Sequence, residues 1–411
     1  MSCLFHIVSA TFVGVQALLE NQNCFPMERR VGLRLNNFPK TPNSLRRNPV
    51  IDAPVDEITI NLTDLYFHYY RDQHGRNPPK PDPALFEHLQ YLTPTSDFRI
   101  LGDGLGVSTH SRRILSSQLG QAFCRQFLHD HLNITYFAHI DRVLNRTLKP
   151  GFGDMLIKRC DVGLLPDFFC AEAVDRIFLA EAKARHEAVN FGNRAFKSWR
   201  DQFGTVVVER PKGTPLSVKG YIVAIRFATE AMPYTKSSLY AEDPKTPGEI
   251  DLHGERGLPL GRAVISLHYA ELVEKLNQPL LAEALENGFV VPAEVPIRAA
   301  VWQLLIGPLA GKRFVGGYYS SDSGARAYLD GNGKVGFMFS DPFRLDIRHA
   351  TFVGVEEGIF GQVVAFARGA PVQEIGQLQG VQFASNAISI LRDGSVIGPV
   401  EFFSPIAVRN F

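Results

Sequence analysis

The sequence predicts an α/β (α+β) protein built around a middle unit of order α-β-β-β-α-β, with an N-terminal region before it and a mainly β domain after it. Three observations carry that prediction. Helical periodicity alternates with short β-branched and aromatic runs between residues 96 and 232. Proline-rich stretches flank that unit: "NFPKTPNSLRRNPVIDAPVDE" and "GRNPPKPDPALF" before it, "YAEDPKTPGEIDLHGERGLPLG" after it, segments in which helices and central strands cannot run. Further on, Asn332-Gly333 and Asp393-Gly394 each lie between apolar runs, the composition of tight hairpin turns. The expected divisions are residues 1–95, 96–232, a linker at 233–260, and 261–411.

Each element has its own signal. "LTDLYFHYYRD" reads as a helix of the N-terminal region, and the apolar start "MSCLFHIVSATFVGV" as a buried strand, because it lacks a basic leader. In "RRILSSQLGQAFCRQFLHDHL" the residues Leu115, Leu119, Phe123 and Phe127 recur every four positions, one stripe of an amphipathic helix. "NITYFAHI" follows as a strand, then "LLPDFFCAEAV" and "RIFLAEAKA" as the two arms of a hairpin. "NRAFKSWRDQF" is the second helix and "KGYIVAIRFA" the closing strand. These strands are apolar enough to be covered on both faces. After the linker, "HYAELVEKLNQPLLAEALENG" reads as one helix closed by Gly288. The hexapeptide ATFVGV occurs at 10–15 and 350–355 with little similarity beyond it, so it reads as chance or as two similar buried strands rather than a repeat.

Composition narrows the function classes. The 411 residues are 45% hydrophobic and 21% charged, the proportions of a folded, soluble chain, and no apolar run is long enough for a membrane helix. Five cysteines, none in a C-x-x-C pair, argue for a reducing, cytoplasmic setting and against structural zinc. The net charge of +1 excludes a polycation, yet between Lys183 and Arg226 nine Lys/Arg face three Asp/Glu.

That basic run begins where the hairpin ends, and the hairpin itself carries charges in apolar strands. With Val174-Asp175 as a two-residue turn, Asp167 falls opposite Ala182, between Glu181 and Lys183; a one-residue shift sets it against one of those two. Glu181 and Lys183 share a face of their strand. Two carboxylates so close repel one another, and burying them unpaired is costly. A hard divalent cation resolves both problems, and a neighbouring lysine can orient a water and stabilise negative charge.

Pro166-Asp167, thirteen residues, then Glu181-Ala182-Lys183 resembles the signature of the PD-(D/E)XK, restriction-endonuclease-like nuclease superfamily, and the α-β-β-β-α-β order resembles its core. The resemblance covers about 130 residues in the middle of the chain. It implies that Asp167 and Glu181 ligate Mg²⁺ (or Mn²⁺) with the Ala182 carbonyl, and that Lys183 positions the attacking water. It further implies a polar residue on the following helix, here Gln202 beside Arg200 and Lys197. Members often carry an acid on the first core helix, where this chain has Gln118 and Gln121. Pro81-Asp82 and Asp243-Pro244-Lys245 match halves of the signature, but both lie in proline-rich loops.

The function expected on this basis is metal-dependent hydrolysis of phosphodiesters in nucleic acid, DNA before RNA. Arg185, Arg194, Lys197 and Arg200 would contact the backbone, and a homodimer or an activating protein partner would complete the machinery. A nuclease module between two other regions also resembles effectors of prokaryotic antiviral defence. Two alternatives stand beside it. The three charges could form a cross-strand salt bridge on an exposed hairpin edge, against which Phe168, Phe169, Ile177, Phe178 and Leu179 leave little polar face. Or the fold could be a retired nuclease that binds nucleic acid or protein, against which the complete Asp/Glu/Lys set counts. Gln202 could equally be a surface residue, Trp199 reads as core, and Asp154 upstream is a further acidic candidate.

Overall fold

The structure, a computed structural model, describes residues 27–73, 80–83, 86, 88–106, 108–144, 155–209, 215, 218–246, 258–319, 326–329, 335–338, 350–370, 375–378 and 387–411. The expected N-terminal strand, the first ATFVGV copy, Asp154 and the Asn332-Gly333 turn lie outside these residues. The strands on either side of that turn, Arg326–Leu329 and Val335–Met338, do pair antiparallel.

A mixed seven-stranded sheet forms the centre. Its strands in chain order are β1 (Glu28–Asn36), β2 (Glu57–Asn61), β3 (Tyr136–His139), β4 (Phe168–Ala173), β5 (Arg176–Arg185), β6 (Gly220–Arg226) and β7 (Ser238–Glu242), arranged β2-β1-β7-β6-β5-β4-β3. β1 and β7 pair parallel, as do β5 and β6; the remaining neighbours are antiparallel. Beside a single helical turn at Ile140–Val143, the helices of the described residues are α1 (Leu62–Gln73), α2 (Thr109–Leu132), α3 (Arg194–Gln202), α4 (Leu258–Lys275), α5 (Pro279–Asn287) and α6 (Glu357–Ala367). The expected middle unit is present as α2-β3-β4-β5-α3-β6, plus a small ladder of Leu156–Arg159 with Val206–Glu209 outside the main sheet.

The hairpin arms are covered on both faces, as their apolar character predicts. Phe168, Cys170, Phe178, Ala180 and Ala182 turn toward a core shared with Leu119, Phe123 and Phe127 of α2 and with α1. Phe169, Ala171, Ile177 and Leu179 turn toward the opposite core, with Phe196 and Trp199 of α3 and the buried face of α4. Trp199 is thus a core residue.

Three expectations are corrected. The boundary near residue 95 does not separate an N-terminal region, because β1 and β2 belong to the central sheet. The expected linker at 233–260 holds an interior strand, β7, wedged between β1 and β6. Pro233 precedes the strand and the remaining prolines follow it, from Pro244 on, so the strand itself holds no proline. The single helix expected at 268–288 is two helices. Asn277 takes a left-handed conformation (φ 57°), and Pro279, with no N–H to donate, starts α5 instead of continuing α4; Gly288 (φ 68°) closes it as expected.

The C-terminal part forms a separate antiparallel sheet of β8 (Arg298–Leu304), β9 (Arg313–Tyr319), β10 (Thr351–Glu356), β11 (Ser389–Ile390), β12 (Ser395–Pro399) and β13 (Phe403–Asn410), in the order β11-β12-β10-β9-β8-β13. Asp393-Gly394 sits in the turn between β11 and β12, with Gly394 at φ 82°. The two sheets share one apolar core: Val301, Val315 and Val355 join the hairpin residues through α4, α5 and α6. Gly261 of α4 lies against the Val174 carbonyl at the hairpin turn, so closely that a side-chain carbon there would overlap it. The C-terminal half therefore buttresses the hairpin directly. No helix among the described residues is long and apolar enough to cross a membrane.

Candidate active site

The site grows out of an irregularity in the β4–β5 hairpin. At the turn, Ala173 pairs with Arg176 across Val174-Asp175, as the two-residue turn requires. Between Ala173 and Ala171 the register slips, because Glu172 bulges out of the ladder and ion-pairs with Arg176 at 3.0 Å. From Ala171 to Phe168 the partners then run from Ile177 to Ala180. Just past the ladder, Asp167 is clamped on both sides of Glu181. Its N–H donates to the Ala180 carbonyl (3.1 Å), and its Oδ2 accepts from the Ala182 N–H (2.8 Å). β5 continues to Arg185 paired only with β6, so Glu181, Ala182 and Lys183 lie where the sheet opens on the β4 side.

Asp167, Glu181 and Lys183 come together there. The Lys183 ammonium ion-pairs with Glu181 and stands 3.9 Å from Asp167 Oδ2. Glu181 has no exposed side-chain surface, whereas Asp167 and Lys183 each keep 22% of theirs. Lys183 meets Oε1 of Glu181, and no donor among the described residues meets Oε2. Burial first, and the Asp167 carboxylate second, push the Glu181 pKa well above the usual carboxylate range; Lys183 opposes them only in part. Two adjacent carboxylates, one buried and one partly open to solvent, fit a hard divalent cation, which would neutralise their repulsion. Among the described residues no three His, Cys, Asp or Glu side chains gather as a ready-made metal cage, so two carboxylates are what the site offers. No family model, no curated protein and no solved structure matches this chain.

A second set of side chains holds Asp167 from the helical face. Gln121 of α2 donates to Asp167 Oδ1 (3.2 Å), and its own oxygen accepts from Gln73 of α1 (2.8 Å). Gln73 also donates to Asp72 (2.5 Å), a buried carboxylate paired with Arg125 (2.9 Å) and His139 (3.0 Å). Gln121 thus occupies the place where the resemblance led us to look for an acid, and a neutral amide there positions Asp167 by hydrogen bonding. α2 reaches this position because Gly120 packs on Lys183 and Ala184, where a side chain would crowd β5. Asp72, Gln73 and His139 were not singled out in the sequence as site residues. Only their spacing at the end of an aromatic helix and of a short strand could have hinted at them.

The other sequence candidates fall into two groups. Arg185, Arg194 and Lys197 are exposed, with the Arg185 guanidinium 5.7 Å from the Trp199 ring. Arg200 is committed elsewhere: it donates to both oxygens of the buried Glu242 (2.9 and 2.8 Å) and to the Phe191 carbonyl (2.7 Å). Lys219 likewise pairs with the buried Asp243 at 3.0 Å. Gln202 is buried at the end of α3, its side-chain oxygen without a hydrogen-bond donor among the described residues.

Proposed function

We propose that this chain is a metal-dependent nuclease that hydrolyses phosphodiester bonds, DNA before RNA, on a restriction-endonuclease-like core. The observation that carries the reading is the meeting of Asp167, Glu181 and Lys183 at the open end of the hairpin, with Glu181 buried between the Lys183 ammonium and the Asp167 carboxylate.

Asp167 and Glu181 would hold Mg²⁺ or Mn²⁺, joined by the Ala182 carbonyl. The bound ion supplies a Lewis acid for the phosphoryl oxygen and lowers the pKa of a nearby water. The remaining work falls to the protein. Gln121 and the Ala182 N–H fix both oxygens of Asp167, so its carboxylate cannot rotate away. Lys183, beside both carboxylates, would donate from Nζ to the attacking water or to the phosphoryl oxygen as negative charge grows in the transition state. Arg185, exposed and two residues farther along the same face of β5, can take an adjacent phosphate.

The test incubates wild type, Asp167→Ala and Lys183→Ala with plasmid, linear duplex, single-stranded DNA and RNA, each in Mg²⁺, Mn²⁺ and EDTA. Cleavage that needs metal and is lost in both variants supports the reading, and the panel identifies the nucleic acid. Equal cleavage by all three proteins sinks it.

A further inference from the structure

The sheet face that carries Glu181 and Lys183 continues past them into a cavity. Residues paired side by side in a sheet point to one face. Lys183 lies beside Ala224, Ala224 beside Tyr240 and Tyr240 beside Arg34; one row along, Arg185 lies beside Arg226, Arg226 beside Ser238 and Ser238 beside Gly32. At the far end of these rows a cavity of about 480 Å³ is lined by Arg34, Arg226, Tyr234, Tyr240 and Lys236, together with the acids Asp56 and Glu57. From Lys183 to Arg34 is three strand spacings, about 14 Å.

The charges of this cavity do not balance. Asp56 is paired with Arg47 (2.6 Å), and Glu57 with Lys236 (2.9 Å), so both acids are compensated. Arg34 is exposed and makes no ion pair or hydrogen bond among the described residues. Arg226 is half-buried, its Nε enclosed without an acceptor among the described residues. A half-buried guanidinium whose enclosed Nε lacks an acceptor, lining the same cavity as a second free one, suits an anion with several oxygens. Aromatic surface lies next to it: Tyr234 is fully exposed, and Tyr240 is half-buried, edge-on to Phe191. Unstacked bases settle on such rings, whereas the bases of a duplex cannot reach them. The volume suits one nucleotide.

We infer that this cavity is a subsite for a single-stranded segment of nucleic acid, with Arg34 and Arg226 gripping one phosphate and Tyr234 and Tyr240 receiving its base. The strand would run across β6, β7 and β1 from the scissile bond at Lys183, with Arg185 holding the phosphate between. The inference rests on the nuclease reading and names the form of substrate that reaches the centre.

The test measures fluorescence anisotropy of a labelled single-stranded ten-mer and of the matching duplex with Mg²⁺ present, in a Lys183→Ala background that does not cut the probe. Arg34→Ala/Arg226→Ala in that background, with its melting curve checked against the parent, should bind the single strand at least about tenfold more weakly. The slope of log Kd against log salt should fall by about 1.4, two phosphate contacts at about 0.7 each. Tyr234→Ala should weaken the single strand several-fold and leave the duplex unaffected. Unchanged affinity and slope in the double variant would overturn the subsite; if wild type still cleaves in a metal-dependent way, the nuclease reading survives. Absence of any binding by the parent overturns the subsite too, and absence of cleavage by wild type would then remove the nuclease reading with it.

Discussion

Asp167 holds the two residues that flank Glu181, donating from its main chain to Ala180 (3.1 Å) and accepting at its side chain from Ala182 (2.8 Å). That double attachment presses one carboxylate against another that has no access to water. A chain folding for stability alone would not keep the arrangement, because a buried acid beside a second carboxylate costs free energy that a neutral residue would not.

Glu181→Gln should therefore stabilise the metal-free protein, by about 1 kcal/mol, while abolishing its response to Mg²⁺. In urea unfolding, wild type should gain stability on adding Mg²⁺ and lose it in EDTA, whereas the variant should show one midpoint in both. A variant less stable than wild type in EDTA would contradict the proposed repulsion.

Arg200→Ala separates a structural arginine from a phosphate contact. Glu242 has no exposed side-chain surface, and losing the Arg200 guanidinium leaves it Asn36 (2.6 Å) and Asn37 (3.2 Å) as side-chain donors among the described residues. The expected loss is about 3 kcal/mol of stability, read by denaturant unfolding. Lys197→Ala on the same helix should leave stability unchanged and lower the salt slope of nucleic-acid binding by about 0.7–0.9. The opposite pattern would return Arg200 to the backbone-binding set.

Gly261→Ala tests the buttress. The added carbon would overlap the Val174 carbonyl, so α4 or the hairpin turn must move, at about 3 kcal/mol or more. Urea unfolding should register the loss, and the rate of cleavage should fall with it, since the displaced turn belongs to the hairpin that sets Asp167 beside Glu181. A variant as stable as wild type would show that α4 and the hairpin are not in tight contact.

His268 of α4 should steepen the acid limb of stability. Its Nδ1 accepts from the Phe137 N–H (3.1 Å) and its Nε2 meets Asp393 (2.7 Å), an arrangement that requires the neutral ring. Burial, with Arg71 beside it, pushes its pKa from 6.5 down to about 4. Between those values the unfolded chain binds a proton that the fold refuses, so stability falls as pH drops from 6.5 toward 4, by something of the order of 3 kcal/mol. His268→Gln should flatten that limb of the stability-against-pH curve, and parallel curves would rule the assignment out.

Much of this was legible in the sequence, for identifiable reasons. The middle unit declared itself because amphipathic spacing, as in Leu119, Phe123 and Phe127, and short apolar runs are local signals. The meeting of Asp167 with Glu181 and Lys183 was legible because a two-residue turn fixes cross-strand partners to within one residue, and the Glu172 bulge moved the register by that single step. β7 was hidden because "SLYAE" is short and lies against proline-rich chain, and only its parallel pairing with β1, two hundred residues away, makes it a central strand. Asp72, Gln73 and His139 were hidden for the same reason, since they reach Asp167 through contacts between elements far apart in the chain. The commitment of Arg200 to Glu242 follows from that unseen strand, so a basic run that looked uniform divides into structural and free members.

Calorimetric titration of Mg²⁺ or Mn²⁺ into the wild-type protein, and into Asp167→Ala, goes most directly to the centre. One binding event in wild type, absent from the variant, is the expected result. Equal heats from the two proteins, or none from wild type, would mean that Asp167 and Glu181 do not form a metal site.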